Sequence, residues 1–528
     1  MDDSDIFPVT IIGGGIAGLT AAAHLAERGI PPLVLEADQL YAGGRLSGGD
    51  PETFEYGGQT WSFPTEHGIH ALWGGYGNMR ATLERFTNTQ VRASDGEEWI
   101  NRWRRAVRRV EAGTAVRSRW LPAPFHYLQL LFRPRFWSTI TPLDFLSLPG
   151  FLASLLWTVG YDPIMEESAL DGLMMHEYFR GWTPNLRATF IGLGKNLLAA
   201  PEDSISVTAF IAALRFFTML RRDTWHPYYF PANSNTALIC PLIDAIEQRG
   251  GKIQYGATAL GLQRSGDCWR VSVEDQAVGG RRAVVTENVI LALDAPAAQR
   301  LLYATGTTSP EARRLRFPGS VRTTTARLWF DREPTHGSTG GMFTGDFAFD
   351  NFFWLHKMQD EFRRWNAQTG GSAVELHLYG SDAQNNEPDK LILIRAVDEL
   401  QRAFPELRGH YVHGAVRRNS KSHTQFRVPT AASLHVNTPW EHLYACGDWI
   451  GYPTPSLWME RSCTTAIAAA NMIIAARGGD PFPLVEPPKP EALARGLQAL
   501  VKGGRRLLSP PLRAANRRLR GRKRSSEG

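Results

Sequence analysis

The feature that most constrains this chain lies near its start, in VTIIGGGIAGLTAAAHLAERGIPPLVLEA. Val9–Ile12 is short, apolar and β-branched, which predicts a buried parallel strand. Ala17–Arg28 is rich in Ala and Leu and predicts a helix, closed by Gly29. Leu33–Glu36 predicts a second strand. Between them Gly13, Gly15 and Gly18 keep the G-x-G-x-x-G spacing. Gly13 permits the sharp turn. Gly15 lets the backbone N–H groups of Ile16 and Ala17 approach a pyrophosphate at the helix start, and Gly18 lets helix and strand pack closely. Glu36 falls about twenty residues on, where a carboxylate accepts hydrogen bonds from a ribose 2′-OH and repels a 2′-phosphate. A dinucleotide is expected, NADP is disfavoured, and the spacing leaves FAD and NAD both open.

Length allows two to four domains, and 43% hydrophobic with 21% charged residues fits a globular protein with a large core. Cys240, Cys268, Cys446 and Cys463 are too widely spaced for a CxxC site or a disulfide framework. They suit the reducing, cytoplasmic side of a membrane. The acidic start MDDSD does not read as a secretory signal. The net charge of +6 conceals an asymmetry: residues 489–528 carry +10, leaving −4 for the rest. The tail also carries Leu497, Leu500, Leu507, Leu508, Leu512 and Leu519. That mixture suits an anionic membrane surface better than nucleic acid, and no nucleic-acid partner is expected.

Residues 117–163 mix Arg117, Arg119, Arg133 and Arg135 with Trp120, Phe125, Phe132, Phe136 and Trp137. Pro134, Pro142 and Pro149 interrupt the apolar runs, so a spanning helix is not expected. Short apolar helices flanked by Arg and Trp suit a peripheral, monotopic protein. Residues 209–222 read the same way. Helices over 237–248 and 459–476, with strands Val289–Ala292 and Leu443–Cys446, return to the nucleotide-domain pattern. Residues 320–435 predict an antiparallel sheet lining a pocket. The expected class is α/β: a discontinuous Rossmann-like domain with a parallel sheet (1–80, 230–300, 436–480) and an inserted α+β substrate domain (81–229, 301–435). The substrate domain would carry membrane-facing helices at 117–163 and 209–222, and residues 481–528 form the basic tail.

Four motifs together resemble one superfamily: GGGIAGLTAA, EADQLYAGGR, TEHGIHALWGGYGN and LYACGDWIGYPTPSLWMERS. The chain is similar to FAD-dependent carotenoid and phytoene desaturases of the amine oxidase superfamily, and more so to the β-carotene desaturase/methyltransferases related to isorenieratene synthase. The resemblance implies FAD, a long isoprenoid substrate, hydride transfer to flavin N5, and quinone or oxygen as electron acceptor. It places Gly13, Gly15, Ile16, Ala17 and Gly18 at the pyrophosphate, with Glu36 and Ala37 at the adenosine. Gly43, Gly44 and Arg45 would lie along the pyrophosphate and ribityl chain, Ala259 at adenine, and Gly447 and Asp448 at the ribityl oxygens. Met459 and Glu460 would open the last helix against the flavin, with His67, Gly68 and Ile69 beside the ring. His70 and Glu66 are the implied catalytic candidates; Glu66-His67-x-x-His70 is not expected to hold a metal. The same motifs would serve a flavin-dependent isomerase or methyl-migrating enzyme, a soluble amine oxidase, or a carrier that keeps FAD structurally.

Overall fold

The computed structural model describes all residues except 1–5, 167–169, 171, 336 and 508–528. The MDDSD segment, and Leu508, Leu512 and Leu519 of the tail, therefore lie outside the described residues. Strand Ile6–Ile12 leads into helix Ile16–Glu27 and strand Pro32–Leu35. Gly13 adopts φ +107°, and a Cβ there would stand 2.5 Å from the Ala292 carbonyl oxygen. A Cβ on Gly18 would stand 2.0 Å from the Gly13 oxygen. Turn, helix and the neighbouring strand end thus meet at backbone contact, which only glycine allows here.

The nucleotide sheet orders its strands Lys252–Gln254, Pro32–Leu35, Ile6–Ile12, Gly280–Leu291, Cys268–Asp275, Ala257–Ser265. Leu443–Ala445 pairs in parallel with the end of Gly280–Leu291. The expected parallel sheet is therefore mixed. Gly280–Leu291 is a long strand whose second half pairs in parallel with Ile6–Ile12, while its first half turns into an antiparallel meander. Helix Ile16–Glu27 is buried on nearly every side, between Cys240–Glu247 and Trp458–Ala476. Its alanines, and Ala466 and Ala468–Ala470 of the last helix, keep the layers close.

The second sheet runs Tyr411–Arg418, Thr324–Phe330, Ser372–Leu378, Asn351–Trp354, Gly340–Gly345, Glu97–Trp103, Ala106–Glu111. All neighbours are antiparallel except Gly340–Gly345 with Glu97–Trp103. Trp329, Trp354 and Trp365 fill its flanks and are fully buried.

The two apolar segments part company. Across 117–163 large side chains stand in the open: Trp120 is 89% exposed, Phe132 81% and Leu146 76%. Pro142–Gly160 has the length and apolar composition to cross a bilayer. Segment 209–222 departs from its expectation. Val207–Leu214 and the π-turn Arg215–Met219 are buried throughout, so this stretch has no face to offer lipid. A helix apolar on all sides belongs in a core as readily as in a membrane.

Arg461 organises the entry to the last helix. It is fully buried, makes no ion pair among the described residues, and gives five hydrogen bonds to four carbonyls. Nε and Nη2 reach Ile450 O at 3.0 and 2.8 Å, Nη2 reaches Tyr452 O, and Nη1 reaches Thr454 O and Ser456 O. Burial lowers its pKa to about 10 against the attraction of Asp448, so it stays charged at neutral pH. Arg461→Met leaves the Ile450, Thr454 and Ser456 carbonyls without donors, while Tyr452 O keeps its bond from Thr454 N at 2.8 Å; it should cost roughly 3–5 kcal/mol, and Lys cannot fork to four acceptors. Urea titration should show this loss for both variants; wild-type stability for Arg461→Met would refute the assignment.

Candidate active site

A cavity of about 820 Å3 runs from the Gly13–Gly15 loop to the second sheet. At the loop end it is lined by Gly13, Gly15, Ile16, Ala17, Glu36 and Ala37, with Ala259 on the facing strand. Glu36 folds back: Gly14 N donates to Oε2 at 2.9 Å and Asp38 N to Oε1 at 2.8 Å. Burial raises its pKa against these bonds. Gly18 does not reach the cavity; it packs behind the turn. Gly15 caps the first helix with no side chain, and a Cβ there would meet nothing within 4 Å. The first helical N–H groups therefore face open space, with a helix dipole behind them.

The middle of the cavity is built by Gly43, Gly44, Arg45, Gly447, Asp448 and Met459. Gly43 and Gly44 take φ of +110° and +57°, which turns the chain beneath the glycine loop, and Gly43 N bonds Gly14 O at 2.7 Å. Arg45 pairs with Asp448 and donates to His423 Nδ1 at 2.8 Å. Because guanidinium only donates, His423 Nε2 carries the hydrogen. That buried donor has no partner, and the ring lines the cavity. His423 stacks on Trp458, centroids 5.0 Å apart. Trp458 opens the last helix with φ +55°, and its indole donates to Leu197 O at 3.1 Å. That helix, too, has no side-chain cap.

His67, Gly68, Ile69 and His70 line the next stretch. Burial and the nearby Arg45 hold both imidazoles neutral: burial leads, with Arg417 adding at His67, which falls to about 4, and His70 falls to about 3. Nδ1 of each has no partner. The far end is aromatic: Trp73 meets Phe217 and Trp225 at 5.1 and 4.7 Å, and Trp99, Tyr229 and Phe353 complete it.

Besides Gly18, two expected site residues lie elsewhere. Glu66 turns from the cavity and accepts from Ser234 N and Oγ and from Gln359 Nε2; burial raises it to about 7. It ties the segment before His67 to Ser234 and Gln359. Glu460 accepts from Asn78 N and Met79 N, both at 2.9 Å, and so holds the start of helix Gly77–Phe86. It follows Met459 by one residue, about 100° round the helix, and that rotation carries it off the cavity. Conversely, His423, Trp458, Asn351, His377 and Tyr379 line the cavity and were not anticipated. Of these, His377 and Tyr379 had a legible signal in the alternation Glu375-x-His377-x-Tyr379.

The donor set fits FAD. Two uncapped helix starts and the orphaned His423 N–H suit a pyrophosphate and ribityl chain, the Glu36 carboxylate suits ribose hydroxyls, and the bare Gly15 and Gly44 leave room for both. The profile of the flavin containing amine oxidoreductases matches residues 16–474. The chain is 27% identical over 504 residues to a carotenoid phi-ring synthase of Streptomyces griseus, covering 88% of this chain and 87% of that one. It is 21% identical to the 15-cis-phytoene desaturase of Narcissus pseudonarcissus, over 75% of this chain and 66% of that one. Cyclohexylamine oxidase of Brevibacterium oxydans shares the fold with TM-score 0.64 at 16% identity, covering 90% of this chain and all of that one. The chain belongs to the flavin-containing amine oxidoreductase family and is an FAD-dependent oxidoreductase.

Proposed function

We propose that this oxidoreductase desaturates a carotenoid or a related long isoprenoid taken from a membrane surface. The observation that carries the reading is the aromatic far end of the cavity, a wall suited to a hydrocarbon, beside an exposed apolar surface. The π-turn that carries Phe217 packs against helix Leu148–Gly160, whose other side is exposed. The two carotenoid-related proteins named above support the substrate class.

When bound, FAD supplies the redox chemistry, taking two electrons and a hydrogen from an activated carbon and passing the electrons to a quinone or oxygen. The protein does the rest. Gly13, Gly15 and Arg45 with Asp448 hold the phosphates and ribityl chain. The neutral His67 and His70 line the cavity where the flavin would be held and add no positive charge there; His70, whose Nδ1 has no partner among the described residues, is the candidate to touch the reacting carbon. Trp73, Phe217, Trp225 and Phe353 orient the polyene and exclude water. A methyl-shifting or isomerising reaction in the same cavity is the second reading, favoured by the likeness to a ring synthase.

The membrane arm rests on Trp120, Phe132, Leu143 and Leu146, all exposed, with Arg133 and Arg135 beside them, on the cytoplasmic side. Helix 492–507 abuts the same region: Arg505 donates to Gly160 O at 2.8 Å and lies over Trp157.

Three outcomes are expected. Anaerobic mixing of the FAD-loaded protein with carotenes should bleach the flavin band and yield a product lighter by two hydrogens per step; an unchanged mass moves the assignment to isomerisation. Gly15→Leu, whose side chain would stand in the open loop end of the cavity, should keep the fold and lose most bound FAD, read as the 450 to 280 nm absorbance ratio. Phe132→Ser with Leu146→Ser should lower partitioning into phosphatidylserine-containing vesicles by tenfold or more, since each buried side chain is worth about 1.5–3 kcal/mol; unchanged partitioning sinks membrane delivery.

A further inference from the structure

The aromatic part of the cavity wall gives way to polar groups where strand Ser372–Leu378 and the residue after it present Glu375, His377 and Tyr379. Spaced by two, they share one face of the strand. His377 Nε2 lies 2.7 Å from Glu375 Oε1, and His377 Nδ1 lies 2.8 Å from Tyr379 Oη. Arg327 Nη2 donates to Glu375 Oε2 at 2.7 Å, and Ile69 N, in the histidine segment, donates to Oε1 at 2.7 Å. Asn351 Nδ2 donates to Tyr379 Oη at 3.3 Å, and the Asn351 carbonyl oxygen is buried with no partner. His377, Tyr379 and Asn351 line the cavity; Glu375 and Arg327 do not.

The protonation pattern follows from these contacts. Burial raises the Glu375 carboxyl, but Arg327 and His377 more than reverse this and leave it at about 2, ionised. A carboxylate only accepts, so His377 Nε2 carries a hydrogen. In the neutral imidazole Nδ1 then accepts the Tyr379 hydroxyl hydrogen. With Asn351 using one lone pair of Tyr379 Oη, one acceptor site remains. The phenol alone is a poor base, and burial raises its pKa further. A phenol that can hand its own proton to an imidazole braced by a carboxylate is a far better one.

We propose that Tyr379, backed by His377 and Glu375, accepts the proton lost when the cavity's substrate is oxidised. The proposal rests on the reading of the cavity as a site of carbon–hydrogen oxidation. The first C–H bond breaks with its electron pair and hydrogen passing to FAD, which leaves the substrate carbon positive and acidifies its neighbour. The adjacent C–H bond then breaks, and its electron pair becomes the new C=C bond. That proton goes to Tyr379 Oη as the hydroxyl's own proton moves to His377 Nδ1. The chain ends as an imidazolium that shares the Glu375 carboxylate with Arg327. Tyr379 is the catalytic residue; His377 and Glu375 are positioning residues that act through it.

The test uses the full-length FAD-loaded protein with a panel of acyclic and cyclic carotenes. Tyr379→Phe and His377→Gln should each slow product formation about 10²-fold at unchanged flavin content, and each should abolish a wild-type solvent deuterium isotope effect. A wild-type rate and isotope effect in Tyr379→Phe overturns the proposal. A second readout needs no turnover. In 15N-histidine NMR of the resting wild type, His377 should show a bare Nδ1 and a protonated Nε2, and Glu375→Gln should release that tautomer preference. A protonated Nδ1 at neutral pH overturns the chain, because it could accept nothing. If no carotene bleaches the flavin, the carotenoid reading fails, and the NMR result still decides the chain.

Discussion

The site depends on one guanidinium. Arg461 ties four carbonyls of the 450–456 loop to the first turn of the last helix without a carboxylate partner. That loop runs between Asp448, which grips Arg45, and Trp458, on which His423 stacks. A loop of this length would otherwise need water to satisfy its carbonyls, and here Ile450, Gly451, Thr454 and Ser456 are buried. The knot therefore converts an irregular segment into a rigid one, and it fixes where the second uncapped helix start points. Placing that start costs strain as well: Trp458 sits in a backbone region that non-glycine residues avoid.

The glycine loop supplies the matching half. Its geometry is set by backbone contacts among Gly13, Gly18 and Ala292 that leave no room for a Cβ. Two helix starts, one from each end of the chain, thus open on a single cavity, and Arg45 with Asp448 bridges them. Their rigidity has different origins: close backbone packing at one start, a buried hydrogen-bond knot at the other.

The first of these was legible in the sequence and the second was not. Strand, glycine turn, helix and acid lie within about thirty residues, so local spacing was enough to read them. Arg461 stood in plain view in the MERS motif, but its partners are loop carbonyls, which carry no side-chain signal. Glu460 was assigned to the cofactor by adjacency to Met459, although neighbouring helix positions face different ways. Segment 209–222 is apolar all round, and only the elements packed about it decide whether core or lipid surrounds it. The Glu375-x-His377-x-Tyr379 alternation was visible as a pattern. Which face of the strand meets the cavity depends on pairing with Thr324–Phe330 on one side and Asn351–Trp354 on the other, both distant in sequence.

Most cations in and around the cavity are paired, which suits a hydrocarbon substrate. Arg45 is paired with Asp448, Arg327 with Glu375, Arg117 with Glu97, and Lys195 with Asp350. The histidines at 67, 70 and 423 are driven neutral, first by burial. Arg300 lines the cavity without an ion pair among the described residues, but each of these four cations has an anion in contact, so an apolar chain passing them displaces water without stranding an isolated charge. The same arrangement matters once the substrate is partly oxidised. At the far end a positive charge arising in the polyene meets aromatic faces, and aromatic faces attract positive charge. Among the described residues, the Glu375–His377 pair is the one place in this wall where a carboxylate and an imidazole reach the cavity through a hydroxyl. A proton can leave the substrate there for an imidazole in direct contact with a buried carboxylate.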